Sequence, residues 1–444
     1  MSDFHLQQAA LPDTLPGAVP GAVPGAVSAP GRRLAELTGL TPLAATTACP
    51  EPADVYAHLR ARFGPIAPVE LTPADPQRQR TAINAWLVLD YDHILQVTRR
   101  EQLYSRNPAN WRALAEGLVP PDSPLLPMMG PRDNGYFRDG HEHRRLIDPI
   151  TEALDGIDQI AMLDAVRARC QQLIAGFASN GKADLMSGYA APIPMLAVTD
   201  LFGLSPADNT ALQRAITALI GSGADSQDGD RALNALLTRI INARRAAPAN
   251  DLTTRFLHHP DLHTDYEVQQ SMVITVVAGW ETTTNWITQT LRHMLTDPRF
   301  AGQLRHGRLG VDDALDEMLW ANPPMANMPA RYALDDHELG GHLITRGDPL
   351  ILGLAAANHD PRARTGNPRL DTGNRAHLAF SAGHHACPAK IPARLIARTA
   401  VDTALRLLPA MQLAIPPEDI PYEPSPWARR PAVLPVRFST PPRT

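Results

Sequence analysis

The chain has 444 residues, 44% of them hydrophobic and 20% charged, which is the composition of a soluble globular protein with length for a large core. A net charge of -5 gives no basis for a nucleic-acid or anionic-membrane partner. The three cysteines, Cys49, Cys170 and Cys387, are odd in number and far apart, which argues against a secreted disulfide scaffold, and no Cys-x-x-Cys pair supports a zinc site.

The first thirty or so residues hold a Pro/Gly/Ala repeat from Gly17, "GAVPGAVPGAVSAPG", which cannot bury a core and reads as a flexible tail over residues 1–33. No basic start followed by an apolar run marks a signal peptide, so a cytoplasmic protein is expected. Ordered sequence is expected from Leu34, as one domain over 34–444. Helical periodicity covers Val55–Phe63 and Ile157–Phe177. The stretch 107–137 is rich in Pro, Gly and Asn and reads as a long loop of the kind that often forms a lid, with Trp111, Met128 and Met129 hinting at an apolar ligand. Tyr266–Thr296 reads as a long helix, apolar on most faces and therefore interior. Its apolar run, Met272–Trp280, is too short to span a bilayer. Glycine turns and β-branched runs near Leu339–Leu354 predict strands. A helix follows Cys387 through Leu405, and "RRPAVLPVRF" reads as one or two final strands. The expectation is a mainly α protein with a minor β region.

Chemistry concentrates at Phe380–Lys390, "FSAGHHACPAK". Four readings of Cys387 arise: a buried small side chain, a zinc ligand with the histidines, a nucleophile, or the axial thiolate of a haem. His384, His385 and Cys387 are too crowded to share one zinc ion comfortably, and nothing marks an oxyanion site beside a nucleophile.

The pattern Phe380-x-x-Gly383-x-His385-x-Cys387 resembles the haem-binding loop of cytochrome P450 enzymes. Other segments agree in the family's order. "AGWETTT" at Ala278–Thr284 resembles the oxygen-activating part of the family's central helix, with Ala278 and Gly279 beside the haem and Glu281 and Thr282 matching the acid–alcohol pair that delivers protons. In isolation, Thr282 reads as a hydroxyl bonded back to the preceding turn. "EHRRL" at Glu142–Leu146 resembles the propionate-binding segment, with His143 the match and His141 the alternative. Arg331 resembles the arginine that pairs with the other propionate. The resemblance runs from about Leu34 to the C-terminus and is to soluble bacterial members of actinobacterial type. It implies a triangular helical prism around haem b, with Cys387 on the iron, His385 at a propionate and Phe380 and Gly383 shaping the loop.

The sequence departs from the family at several positions. Glu317-Met318-Leu319-Trp320 stands where the family has Glu-x-x-Arg, as in a small subgroup lacking that arginine. A direct Glu317–Arg369 pair is the expected repair, with Trp320 filling volume and stacking on guanidinium. Ser381 and Ala389 replace glycines, Pro392 is expected to bend the start of the next helix, and Ile147 stands where an arginine often follows His143. Pro388 suits the first helical position.

The reaction implied is oxidation of a small organic substrate with dioxygen and two electrons. Hydroxylation or oxidative coupling of a polyketide, terpene, peptide or cyclodipeptide scaffold in secondary metabolism is expected. Ferredoxin and a ferredoxin reductase are the implied electron donors, with Lys390, Arg394 and Arg398 as a basic docking face. The alternatives are a haem-binding sensor or complex component without turnover, and a zinc or thiol hydrolase.

Overall fold

The computed structural model describes residues 33–440 apart from 50, 221–225, 302–309 and 365–372. Nearly all of the expected tail therefore lies outside the described residues, and the first element is a short turn at Leu34–Glu36. Helices begin where local chemistry supports them. Pro52 opens Pro52–Phe63, where its missing N–H costs nothing. Asp158 accepts from the Ile160 and Ala161 amides, both at 3.0 Å, to start Gln159–Phe177. Thr264 accepts from the Glu267 amide at 3.2 Å to start the central helix, Asp265–Thr296.

The central helix has 32 residues and is buried along Val268–Val273 and again along Thr283–Leu291. Two of its buried hydroxyls bond to its own backbone, Thr288 to the Thr284 carbonyl at 2.8 Å and Thr290 to that of Trp286 at 2.7 Å, whereas the Thr284 hydroxyl has no partner. Trp286 is the largest residue of the main core cluster, which also holds Leu315, Leu319 and the buried face of Lys390–Leu407, the helix that follows the cysteine. Its indole N–H donates to the Leu315 carbonyl at 3.1 Å, joining the central helix to helix Val311–Ala321.

A six-stranded sheet lies beside the helices, in the order Thr41–Pro42, Ile66–Thr72, Ile83–Val88, Pro349–Gly353, Asn327–Ala333, Tyr104–Ser105. Ile83–Val88 runs parallel to Pro349–Gly353, which pairs antiparallel with Asn327–Ala333. Register shifts between Met328 and Arg331, an irregularity of the kind that re-aims a side chain. The expected strands near 339–354 are present, as are two short strands at the end, Arg430–Pro431 and Pro435–Arg437.

The stretch 107–137 is more ordered than its composition suggests. It carries short turns at Pro108–Asn110, Arg112–Ala115, Leu126–Met129 and Gly135–Phe137. Trp111 and Met129 are buried in the core beneath the sheet, with Met128 packed against it and Trp111 stacked on Tyr332 at 6.0 Å between ring centroids. These side chains are core, so they do not supply the apolar ligand contact that the sequence hinted at. Buried aromatic and methionine residues within an irregular segment look the same in sequence whether they pack inward or line a pocket. No described helix is long and apolar enough to cross a membrane.

Candidate active site

The cysteine loop is closed at its base by the Cys387 amide, which donates to the Phe380 carbonyl at 2.9 Å. The Phe380 ring meets Trp286 edge-on with centroids 5.9 Å apart, which fixes the loop to the central helix. Gly383 has φ +70, and a Cβ there would lie 2.1 Å from the Thr98 carbonyl oxygen, so the position requires glycine. Ser381 also has positive φ, at 57°, and its buried hydroxyl has no hydrogen-bond partner. This loop therefore keeps a left-handed residue where the family has glycine, at a cost of about 1 kcal/mol. Ser381→Gly is expected to raise the unfolding free energy by about 1 kcal/mol in urea titration, and an unchanged or lower midpoint would remove the strain argument. Ala389, at φ −92, needs no glycine.

The helix starts at Lys390, two residues later than Pro388. Pro388 is thus in the preceding turn, and Pro392 falls in the first helical turn, where its N–H would have had no intrahelical acceptor. That position removes the reason to expect a bend. Burial pushes the Cys387 thiol up, while the Ala389 amide and the Lys390 charge pull it down. Ligation of a cation by this sulfur would expel the proton.

Beside the loop lies a buried basic cluster. Arg331 is fully buried, and its Nη1 and Nη2 have no hydrogen-bond partner. Burial, with the Arg106 charge second, holds its guanidinium well below its usual basicity. Arg106 is buried as well; its Nη1 and Nη2 reach the Pro329 carbonyl only at 3.5 and 3.3 Å, and it lies 3.6 Å from the centre of the Tyr136 ring. Sequence reasoning missed Arg106, and nothing in "LYSRNP" sets it apart from the chain's other arginines.

The His143 and His385 rings lie 3.8 Å apart. The His143 ring lies between two carbonyls, Nδ1 2.7 Å from that of Gly135 and Nε2 3.1 Å from that of His384, and its N–H donates to one of them, so in this structure it sits against the cysteine loop. His385 Nε2 is 3.7 Å from Asp139 and makes no hydrogen bond. Burial lowers the basicity of His385; Asp139 opposes this, and Arg331, Arg106 and His143 add to it. Asp139 is tied to the Ser105 hydroxyl and to the Arg106 amide at 2.8 Å. His141 is exposed, on the surface beside Glu142.

The central helix is accessible between its two buried stretches, at Val277–Thr282, where Ala278 and Gly279 keep side-chain bulk small. The Thr282 hydroxyl donates to the Ala278 carbonyl at 2.6 Å. The Glu281 carboxyl is held above the usual range by burial; Arg430 pulls it down and Glu423 pushes it up. Trp280 and Ala389 pack against one core cluster, which brings this stretch and the cysteine loop onto a common support.

The Glu-x-x-Trp segment is wired differently from expectation. Arg369 lies outside the described residues, and Glu317 pairs with Arg299 at 2.6 Å and His293 at 3.3 Å. Trp320 does lie against a guanidinium, that of Arg364, at 5.2 Å. The expected basic docking face is partly neutralised: Arg394 pairs with Asp316 at 2.5 Å and Arg398 with Asp312 at 2.8 Å, whereas Lys390 is exposed.

The fold and the sequence have counterparts among bacterial proteins. CYP154A1 from Streptomyces coelicolor superposes with a TM-score of 0.76 at 26% identity, covering 90% of this chain and 99% of that one. The cytochrome P450 monooxygenase PikC of Streptomyces venezuelae is 27% identical over 402 residues, 87% of this chain and 91% of the relative. The polyketide biosynthesis cytochrome P450 PksS of Bacillus subtilis is 26% identical over 371 residues, 80% of this chain and 89% of the relative. No protein-family model matches the chain.

A helical fold with a cysteine loop packed against a long central helix is the architecture shared with these haem-thiolate proteins. The chain belongs to the cytochrome P450 superfamily. It is an enzyme of the monooxygenase class, and its cofactor is haem b. The residues fit that group. Two guanidiniums buried side by side, one without any partner, call for anions in a dry pocket, and haem b brings two propionate carboxylates.

Proposed function

We propose that Cys387 would supply the thiolate that holds haem b and that the chain oxidises a small organic molecule of secondary metabolism in the cytoplasm. The observation that carries this is the unpartnered, fully buried Arg331 next to a closed cysteine loop. Arg331 holds one propionate, and His385 lines the same pocket. When bound, haem b supplies the redox chemistry, using dioxygen and two electrons to oxidise the substrate. Converting a C–H bond to C–O–H by this stoichiometry releases one water and consumes two protons. Glu281 and Thr282 supply those protons: the Glu281 carboxyl, on the accessible stretch, is held above the usual range by desolvation, and the Thr282 hydroxyl stands one residue on.

Substrate binds against the Val277–Thr282 stretch. Relatives named for polyketide biosynthesis and for biflaviolin synthesis support a polyketide or aromatic substrate, to be hydroxylated or coupled. Electrons come from a separate ferredoxin and its reductase. Lys390 and the exposed Ile391, both just after the cysteine loop, give such an acidic carrier one charge and one apolar contact.

The test is the absorption spectrum of the purified protein, reduced and exposed to carbon monoxide. A strongly red-shifted Soret band is expected for the wild type and is expected to be absent from Cys387→Ser. A band at the position of histidine-ligated haem in the wild type would overturn the assignment.

A further inference from the structure

We propose that Asp316 is the residue that positions the Cys387 loop, by pinning the chain where it enters and where it leaves that loop. The proposal rests on the haem-thiolate reading of Cys387. Asp316 is on helix Val311–Ala321, one position before Glu317, and its side chain is 9% exposed. Its Oδ2 accepts from Arg375 Nε at 3.0 Å and its Oδ1 from Arg394 Nη1 at 2.5 Å. Arg375 lies just before Phe380, and Arg394 lies in the second turn of the helix after Cys387. One carboxylate therefore spans both ends of the loop.

The rest of the helix supports this clamp. Trp320, one turn after Asp316 on the same face, donates its indole N–H to the Asn374 carbonyl at 2.7 Å. The Leu319 carbonyl accepts from Asn358 Nδ2 at 2.8 Å, and Asn358 Oδ1 accepts from the Leu378 amide at 2.9 Å. Residues 374, 375 and 378 are thus all tied to the helix directly or through one side chain. Glu317 points elsewhere, to Arg299 and His293. Among the described residues of this helix, the replacement of the family arginine by Trp320 then strands no charge: the indole meets a carbonyl, Glu317 has its own cation, and Asp316 has two.

The test compares Asp316→Asn with Glu317→Gln in the haem-loaded full chain. The readout is the rate at which the red-shifted band of the reduced carbon monoxide complex converts to the shorter-wavelength band of haem without thiolate. Asp316→Asn is expected to convert about tenfold faster than wild type, since it breaks a buried ion pair, and Glu317→Gln within about twofold. A wild-type rate in Asp316→Asn, or an equal effect of Glu317→Gln, would overturn the proposal. If Asp316→Asn does not accumulate, Arg375→Gln at an exposed side chain carries the test: faster conversion supports the clamp and a wild-type rate overturns it. A wild type with no red-shifted band would overturn the haem-thiolate reading and the clamp with it, so the two failures are distinguishable.

Discussion

Arg331→Met is expected to stabilise the apoprotein and weaken its hold on haem, two effects of opposite sign from one substitution. Without an anion, the buried guanidinium is an uncompensated charge, a burden on the order of 3–5 kcal/mol. An unbranched apolar side chain of similar length removes that burden, so the melting temperature of the apo form rises. With haem bound, the same guanidinium makes charge-assisted hydrogen bonds worth about 2–3 kcal/mol. Haem transfer to apomyoglobin is accordingly expected to be roughly 50-fold faster in the variant. A lower apo melting temperature together with an unchanged transfer rate would mean that Arg331 is a packing residue. Arg106 differs in kind. It already lies over Tyr136 and reaches the Pro329 carbonyl, so part of its charge is solvated by the protein.

Glu281→Gln is expected to lower product formation roughly 10²-fold, with haem content and the carbon monoxide spectrum unchanged. The substitution keeps shape and removes the transferable proton from a carboxyl that burial has made easy to keep protonated. In Thr282→Ala, reductant is still consumed but is diverted to hydrogen peroxide, because the helix loses the hydroxyl that donates to the Ala278 carbonyl. The measurements are product and peroxide yields per reductant oxidised with a turned-over substrate. Full product yield in both variants would remove proton delivery from these two residues.

Much of this was legible before any coordinates. Periodicity located the central helix to within a residue, because a helix apolar on most faces has one place to go. The cysteine loop was legible because its geometry demands particular residues at fixed spacing, Gly383 above all, which a carbonyl of another helix closes off to any side chain. The cysteine, the acid–alcohol pair and the buried arginine are local in sequence and chemically distinctive.

What the sequence alone determined is therefore the helical class, the cysteine loop and the residue types proposed here for a haem-thiolate site. Partners were decided only by tertiary structure. Glu317 meets Arg299 and His293, Asp316 gathers Arg375 and Arg394, and Trp111 and Met129 turn into the core. His143 comes to lie between the Gly135 and His384 carbonyls, and Arg106 beside Arg331. The physical reason is common to all of these. A charge or an aromatic ring announces what it needs, but many residues in the chain satisfy that need equally well. Which one does so is set by how helices and sheet pack, over separations that no sequence pattern encodes.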